Sequence, residues 1–264
     1  MLKNTAPCRE SLNYNPSNRV EKEIQNYNSA EGKPDTETGY DCPKCKNKGY
    51  VAINDNGYMV TKPCDCLKIR SSLKALQRSG LGAVDKNTFA NYTVVDKWQA
   101  EVLEKAKTFL NEPLGKWFFI GGQVGSGKTH ICKAIAYEFI KRGICAKYME
   151  WRNDVQKINA VINEPEAERI KCEFLTSPVL YIDDFLKTSQ GTAPSQGEVN
   201  RAIDFIFGRY TQENSCVIIS SEKTINEITA IDEAFGSRIF ERAGEYVINI
   251  APDAKKNYRI YHNS

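Results

Sequence analysis

One glycine-rich segment has the residue types and spacing that bind phosphate groups. Residues 122–129 read GQVGSGKT and satisfy the pattern G-x-x-x-x-G-K-T. Glycines let backbone amides turn towards a phosphate without clashes from Cβ atoms, and the helix that follows adds its positive end. Lys128 can reach the β- and γ-phosphates, and the Thr129 hydroxyl can ligate Mg²⁺. We expect ATP or ADP to contact this loop and the next residue: Gly122, Gln123, Val124, Gly125, Ser126, Gly127, Lys128, Thr129 and His130.

An acidic pair after a short apolar run supplies the second half of such a site. Residues 179–182 (VLYI) predict a buried strand, and Asp183 and Asp184 follow it directly. Because α/β sheets bind ligands at the carboxyl ends of their strands, we expect both carboxylates beside the phosphate loop. Asp183 is assigned to Mg²⁺, through water, and Asp184 to polarising the attacking water. Alternatively, Asp184 only caps a helix or a turn.

A cluster of four cysteines indicates a metal site. Cys42 and Cys45 form a C-x-x-C pair, and Cys64 and Cys66 form a C-x-C pair. Four thiolates at this spacing suit tetrahedral Zn²⁺ with no position left for water, so the role would be structural. A redox pair, an iron–sulfur cluster and unligated thiols are the alternatives. The remaining cysteines are interpreted as small apolar residues: Cys8, Cys132, Cys145, Cys172 and Cys216.

Composition bounds the class of protein. The 264 residues are 41% hydrophobic, which suits one α/β domain and a smaller appendage. A net charge of +3 does not argue for nucleic acid, so any basic footprint must be local. The chain has no run of eighteen apolar residues and no apolar signal core in its first residues. We therefore expect no membrane contact and a cytoplasmic protein with reduced thiols.

Three segments differ in composition. Residues 1–39 are polar with a short helix over 19–27, and residues 40–80 hold the cysteines and a basic linker helix that Gly80 would end. Between the two cysteine pairs, a hairpin is predicted around the turn at 54–57. Residues 81–264 form the main domain, where apolar runs predict five strands: 117–120, 145–151, 179–182, 216–219 and 246–250. Alternation with amphipathic helices predicts an α/β fold whose five-stranded sheet is mostly parallel.

Together the motifs resemble AAA+ replicative helicase loaders of the DnaC/DnaI type, in the IstB-like ATP-binding superfamily and in the version found in phages and mobile elements. The matching stretches are CPKCKNKGY…PCDCLK, TFANY, GGQVGSGKTHICKAIA, YIDDF, RAIDFIFGRY, IISSE, GSRIFER and NYR. They span about four-fifths of the chain, and the cysteine module and GSRIFER are far more specific than the phosphate loop. The resemblance implies an AAA+ P-loop domain without a C-terminal lid domain, preceded by a small zinc-binding module.

The resemblance also implies roles for residues near the nucleotide. Ser220 or Ser221 occupies the sensor-1 position, where a hydroxyl can orient water; the sequence does not separate the two. Arg259, in NYR, resembles a second sensor arginine.

Two arginines of GSRIFER are implied to act between subunits. Arg238 and Arg242 lie four residues apart on a predicted helix, so they share a face. The family uses an arginine here, called an arginine finger, to reach the nucleotide of a neighbouring subunit. Arg242 is the first choice for this finger and Arg238 the second. Local pairing with Glu241 or Glu245 is the alternative.

The implied function is ATP-dependent loading of a hexameric replicative helicase onto single-stranded DNA. The N-terminal region would bind the helicase, and ATP binding and hydrolysis, weak without partners, would time release; self-assembly is expected only on the helicase. One alternative is an IstB-like transposition helper that acts on a transposase, which the zinc module disfavours. Another is a nucleotide-gated helicase inhibitor with little turnover, because many relatives have Glu at the position of Asp184.

Single-stranded DNA binding is implied by the resemblance and not by composition. The candidate contacts lie between the second and third strands: Arg152, Lys157, Arg169 and Lys171, with Trp151 placed to stack on a base. Four glutamates interleave with them, so a solvated charged face is an equal alternative: Glu164, Glu166, Glu168 and Glu173.

Overall fold

A computed structural model describes residues 16–78, 86–188 and 192–261. Gly80 and Cys8, to which we assigned a helix end and an apolar role, lie outside these residues. The chain divides into a first unit that ends at Leu67 and a second that begins at Lys68. Within the described ranges, no helix has both the length and the apolar character that crossing a bilayer requires.

The first unit contains a helix and a β-hairpin. These elements are α1 (Pro16–Ser29), β1 (Tyr50–Asp55) and β2 (Tyr58–Pro63). The strands pair antiparallel, and the predicted hairpin is confirmed. Asn56 and Gly57 form the turn at φ values of 51° and 86°, as a tight two-residue hairpin turn requires. The Asn28 side chain ties α1 to β1, because its amide exchanges two hydrogen bonds of 2.9 Å with the backbone of Ala52.

The second unit is built on a five-stranded parallel sheet. Its strands are β3 (Phe118–Gly122), β4 (Ala146–Glu150), β5 (Val179–Asp183), β6 (Cys216–Ser221) and β7 (Val247–Ile250). The order across the sheet is β4-β5-β6-β3-β7, and every neighbouring pair is parallel. The predicted α/β fold is therefore confirmed. Since the strands run in one direction, the carboxyl ends of β3, β5 and β6 meet at one edge of the sheet, where α/β proteins bind ligands.

Helices cover both faces of this sheet. The α-helices after the hairpin are α2 (Cys66–Arg78), which begins at the end of the first unit, α3 (Lys97–Phe109), α4 (Lys128–Lys141), α5 (Trp151–Ala160), α6 (Pro165–Thr176), α7 (Gln196–Tyr210), α8 (Ile225–Ile231), α9 (Glu233–Ala243) and α10 (Tyr258–Tyr261). On one face, the ring of Phe109 in α3 lies 5.4 Å from Phe118 and 6.2 Å from Phe139 in α4. On the other face, Phe119 packs in a cluster with side chains of α5, α7 and α9.

One buried arginine of α7, for which the motifs predict no role, bonds to the backbone next to two strands. Arg209 is fully buried, and its guanidinium donates hydrogen bonds to the carbonyls of Leu175 (2.7 Å), Ser177 (2.5 Å) and Cys216 (3.0 Å). Burial lowers the pKa of Arg209 to about 10, so the side chain stays charged at neutral pH. One side chain thus supplies donors to two carbonyls that precede β5 and to the first carbonyl of β6.

Replacing Arg209 with methionine should destabilise the second unit. The substitution removes donors from buried carbonyls, and we expect the free energy of unfolding to fall by about 3 kcal/mol. Urea unfolding followed by circular dichroism measures this change. Arg169→Met, at an exposed ion pair, is the control and should leave the midpoint unchanged. Equal midpoints for Arg209→Met and the wild type would contradict this account.

Candidate nucleotide site

The predicted phosphate loop joins β3 to α4 at the carboxyl edge of the sheet. Gly122, Gly125 and Gly127 have φ values of 103°, 75° and 87°, a region that residues with a Cβ rarely adopt. A Cβ at Gly125 would also overlap the Asn257 side chain. The loop leads into the first turn of α4, whose positive end favours an anion.

Lys128 lies inside this loop. The side chain is buried, and its Nζ donates hydrogen bonds to the carbonyls of Gly122 (2.8 Å) and Gln123 (2.6 Å). Burial lowers the pKa of Lys128. The ammonium is thus held at the loop, from which it can reach a phosphate group.

Asp183 is the acceptor of four hydroxyl groups. Thr129 donates to Oδ1 at 3.1 Å, Tyr181 to Oδ1 at 2.7 Å and Tyr148 to Oδ2 at 3.1 Å, and Ser220 also donates to Oδ1. Burial raises the pKa of both tyrosines, so their hydroxyls keep their protons and remain donors. Asp183 is itself buried. Carboxylate and hydroxyl oxygens are ligands that Mg²⁺ prefers, and here the two are within hydrogen-bond distance of each other. Asp183 and Thr129 therefore fit that ion.

The two tyrosines were missed by the sequence analysis. Tyr181 precedes Asp183 by two residues in β5, so the alternation of side chains along a strand was a signal that both face the same side. Tyr148 carried no comparable signal, because its position next to Asp183 depends on the pairing of β4 with β5.

The two serines of IISSE have different environments. Ser220 donates to Asp183 and accepts the backbone N–H of Asp184 at 3.3 Å. Ser221 donates to the carbonyl of Phe185 at 2.8 Å. Ser220 is therefore the serine beside the acidic pair, and Ser221 supports the turn that follows it.

Asp184 lies in an ion pair that the sequence did not predict. The Lys187 ammonium is 2.8 Å from Asp184 Oδ2 and 2.9 Å from Glu222 Oε1. Burial opposes the charge on Lys187, but its hydrogen bonds to the two carboxylates outweigh burial and raise its pKa. The three charged groups form one cluster in the wall of the site.

A cavity of about 360 Å³ lies between the phosphate loop and this charged cluster. It is lined by residues 124–130 of the phosphate loop and α4, and by Asn87, Asp184, Lys187, Glu222, Tyr258 and Arg259. The C-terminal segment contacts the loop directly, because the Tyr258 N–H donates to the carbonyl of Gly125 at 3.0 Å. Arg259 follows it and faces the cavity with the loop, as its assignment to the nucleotide requires.

His130 follows the loop in the first turn of α4. Its Nε2 lies 2.8 Å from the carbonyl of Thr88, and its ring packs edge-on against Tyr92 with the ring centroids 5.3 Å apart. Both partners belong to the stretch TFANY, which thereby lies beside the start of α4.

The two arginines of α9 lie away from this cavity. Arg242 donates to the carbonyl of Tyr210 at 2.7 Å, and its guanidinium lies 4.9 Å from the centroid of that ring. The Arg238 guanidinium stacks 3.9 Å above the ring of Phe207. Glu241, proposed as a local partner, instead accepts a hydrogen bond from the Tyr210 hydroxyl at 2.9 Å. Neither arginine is among the described residues that line the nucleotide cavity of its own chain.

The assignment of Trp151 to base stacking is wrong. Trp151 is 1% exposed, and its ring lies 4.8 Å from that of Phe185 and 6.0 Å from that of Phe205. The apolar face of α5 directs the indole into the core, so it is not accessible to a base.

Three of the candidate DNA contacts make ion pairs with acidic residues of their own helices. Lys157 pairs with Asp154, and Lys171 with Glu168, at 2.8 and 2.7 Å. Arg169 pairs with Glu166 and Glu173 at 2.6 and 2.7 Å. Exposed pairs three or four residues apart are typical of a solvated helix face. Arg152 is exposed on α5.

The four cysteines of the first unit form a compact cluster. All four thiols are buried, and their sulfur atoms lie within 4.8 Å of one another. The distances from Cys42 to Cys64 and from Cys45 to Cys66 are 3.8 and 3.4 Å, near the ~3.8 Å that tetrahedral Zn–S bonds require. Burial opposes a thiolate at Cys45, but the N–H of Gly49 and the neighbouring thiols lower its pKa to about 7. The donors fit a tetrahedral, structural metal ion.

Comparisons with known proteins support the fold. A family model described as Novel STAND NTPase 3 matches residues 98–263. The chain is 28% identical over 236 residues to the phage-like element PBSX protein XkdC of Bacillus subtilis (strain 168), which covers 84% of this chain and 86% of that protein.

Two solved structures have a similar fold. The DnaC helicase loader matches with a TM-score of 0.55 and 20% identity, over 65% of this chain and 99% of that one. The replication initiator DnaA bound to AMPPCP and single-stranded DNA matches with a TM-score of 0.52 and 22% identity, over 66% and 53%. At these identities the likeness concerns the fold, and the predicted AAA+ architecture of the DnaC type is confirmed at that level.

The purified protein should contain one Zn²⁺ per chain. Cys45→Ser removes one of four thiolates, so we expect loss of the metal and unfolding of the first unit, because such sites contribute about 10–16 kcal/mol to folding. Elemental mass spectrometry and circular dichroism measure both. Cys172→Ser, at an exposed cysteine of the second unit, should keep its zinc. Iron in place of zinc, or full zinc occupancy in Cys45→Ser, would contradict the assignment.

Proposed function

The chain belongs to the Novel STAND NTPase 3 family, and we propose that it binds and hydrolyses Mg·ATP in the cavity at the carboxyl ends of β3, β5 and β6. The observation that carries this proposal is the 3.1 Å hydrogen bond from Thr129 to Asp183. The pair brings a hydroxyl of the phosphate loop and a strand-end carboxylate together, as a Mg·nucleotide site requires. When bound, Mg²⁺ would neutralise charge on the phosphates and orient them for attack by water.

The side chains around the cavity would divide the remaining work. Lys128 and the amides of the phosphate loop would hold the phosphates and stabilise the charge that develops on them. Ser220 would keep Asp183 in position and orient water. Asp184 would polarise the attacking water as a general base. Because Lys187 holds the Asp184 carboxylate at 2.8 Å, we infer that hydrolysis is slow in the isolated protein.

Hydrolysis would need a second subunit. Arg242 is first choice, and Arg238 second, for an arginine that reaches the nucleotide of a neighbour. Their distance from the cavity of their own chain supports a role in trans, and the planar guanidinium suits a transition state with spread negative charge. The subunits would assemble on the replicative helicase.

The cellular role that we propose is delivery of a hexameric replicative helicase to single-stranded DNA in the cytoplasm. The ATPase domain covers 99% of the DnaC helicase loader structure, and DnaA, with the same fold, binds an ATP analogue and single-stranded DNA. The cysteine unit is compact by itself, which suits a separate docking module for the helicase. ATP binding and hydrolysis would time its release.

The loader proposal predicts an ATPase that needs two partners. Phosphate release should rise at least 10-fold when a hexameric replicative helicase and single-stranded DNA are both added. Lys128→Ala should abolish hydrolysis, because the phosphates lose their buried cation. Arg242→Ala should bind ATP normally but lose about 100-fold or more of the stimulated rate, because the finger acts on the neighbour.

Mixing the two variants supplies the control. Hetero-assemblies contain interfaces with an intact Lys128 from one chain and an intact Arg242 from the other, so activity should partly return. Helicase binding without stimulation would instead identify an inhibitor. Capture of a transposase and not a helicase would identify a transposition helper. Stimulated activity of Arg242→Ala equal to that of the wild type would rule out Arg242 as the arginine finger.

A further inference from the structure

Lys187 is a charged residue of the cavity wall to which the sequence motifs assign no role. We propose that Lys187 is a further nucleotide-binding residue, which recognises the γ-phosphate from within the same chain and so distinguishes ATP from ADP. This inference rests on the proposed Mg·ATP site and adds a specificity-determining residue to it.

The backbone before Lys187 adopts an uncommon conformation. Asp184 and Leu186 have φ values of 53° and 55°, where residues other than glycine are rarely found. The turn is anchored on both sides, because Phe185 and Leu186 are buried in the core. In addition, the Phe185 N–H donates to the carbonyl of Ser220 at 2.9 Å, and the Lys187 N–H to that of Asp184 at 3.0 Å. Such conformations persist where the surroundings enforce them, commonly at functional sites.

The result of this turn is a cation in the wall of the cavity. Lys187 lines the cavity together with the phosphate loop, and its side chain is 38% exposed. An ammonium group has three N–H donors. Two of them are used on Asp184 and Glu222, at 2.8 and 2.9 Å. Among the described residues the third donor has no acceptor, so it is available to one that enters the cavity.

The charges around Lys187 explain why a terminal phosphate needs it. Asp184 and Glu222 place two carboxylates in the wall of a cavity built to hold an anion. Without a cation between them, they would repel each phosphate oxygen that approaches. Lys187 offsets this repulsion and adds a point charge of the kind that binds phosphate.

The position of the cluster selects the γ-phosphate. Asp184 directly follows Asp183, which together with Thr129 marks the side of the site that suits Mg²⁺. Asp183 and Thr129 would hold Mg²⁺ beside the terminal phosphates of ATP, so the wall next to Asp183 would face the end of ATP that ADP lacks. Contact of Lys187 with the γ-phosphate would also loosen its hold on Asp184. The same contact would then free the carboxylate that polarises water.

The test compares binding of a non-hydrolysable ATP analogue and of ADP, both with Mg²⁺, by calorimetry. Lys187→Met should weaken the analogue at least 10-fold and ADP less than 2-fold. The matched control is Lys141→Met, because Lys141 is similarly exposed (43%) and lies 2.8 Å from one carboxylate, that of Glu138, outside the cavity. It should change neither affinity. Lys187→Arg should restore part of the preference for the analogue.

Two results would overturn the inference: equal weakening of both ligands by Lys187→Met, which indicates a structural role, and no weakening of either. If Lys187→Met does not fold, Glu222→Gln decides. This variant releases one Lys187 donor and one repelling charge, so the analogue should bind at least 3-fold more tightly relative to ADP; an unchanged ratio would overturn the proposal. A wild type that binds neither nucleotide would refute the ATP site itself, and this result precedes any variant.

Discussion

The buried carboxylate of Asp183 is the constraint on which the rest of the site depends. A buried charge is tolerated only when hydrogen bonds replace the water it has lost. Asp183 obtains four donors, and each comes from a different position in the fold: Thr129 in α4, Tyr148 in β4, Tyr181 in β5 and Ser220 in β6. The parallel sheet is what makes this possible, because it brings the carboxyl ends of these strands to one edge. Loss of register in any of them would leave the carboxylate with an unfilled acceptor.

A second constraint separates the two ends of the sheet. The nucleotide cavity lies at the carboxyl ends of the strands, and Arg242 contacts Tyr210 at the end of α7 and Gly115 just before β3. Among the described residues, Arg242 is not part of the lining of its own chain's nucleotide cavity. We propose that a neighbouring chain supplies this arginine, which would link hydrolysis to assembly. The ion pair of Asp184 with Lys187 adds a local reason for slow turnover before assembly.

The sequence predicted those parts whose signal is local. The phosphate loop, the hairpin at Asn56-Gly57 and the thiol cluster follow from spacing and turn chemistry, and five apolar runs gave the strands of the sheet. Residues whose role depends on distant pairing were missed. Lys187 acquires its role through Glu222 across the sheet edge, and Arg209 through carbonyls of other elements. Trp151 was misassigned because an aromatic residue at a helix start is apolar core as readily as a stacking platform.

The most direct test of the central claim is the Mg²⁺ dependence of ATP binding in wild type and Asp183→Asn, measured by calorimetry. Asparagine keeps the volume of the side chain and its acceptor oxygen but removes the charge that holds the ion. We predict that Mg²⁺ tightens ATP binding at least 10-fold in the wild type and less than 2-fold in Asp183→Asn, with similar affinities when Mg²⁺ is absent. An equal gain from Mg²⁺ in both proteins would contradict the account, because Asp183 would then hold the fold and not the metal.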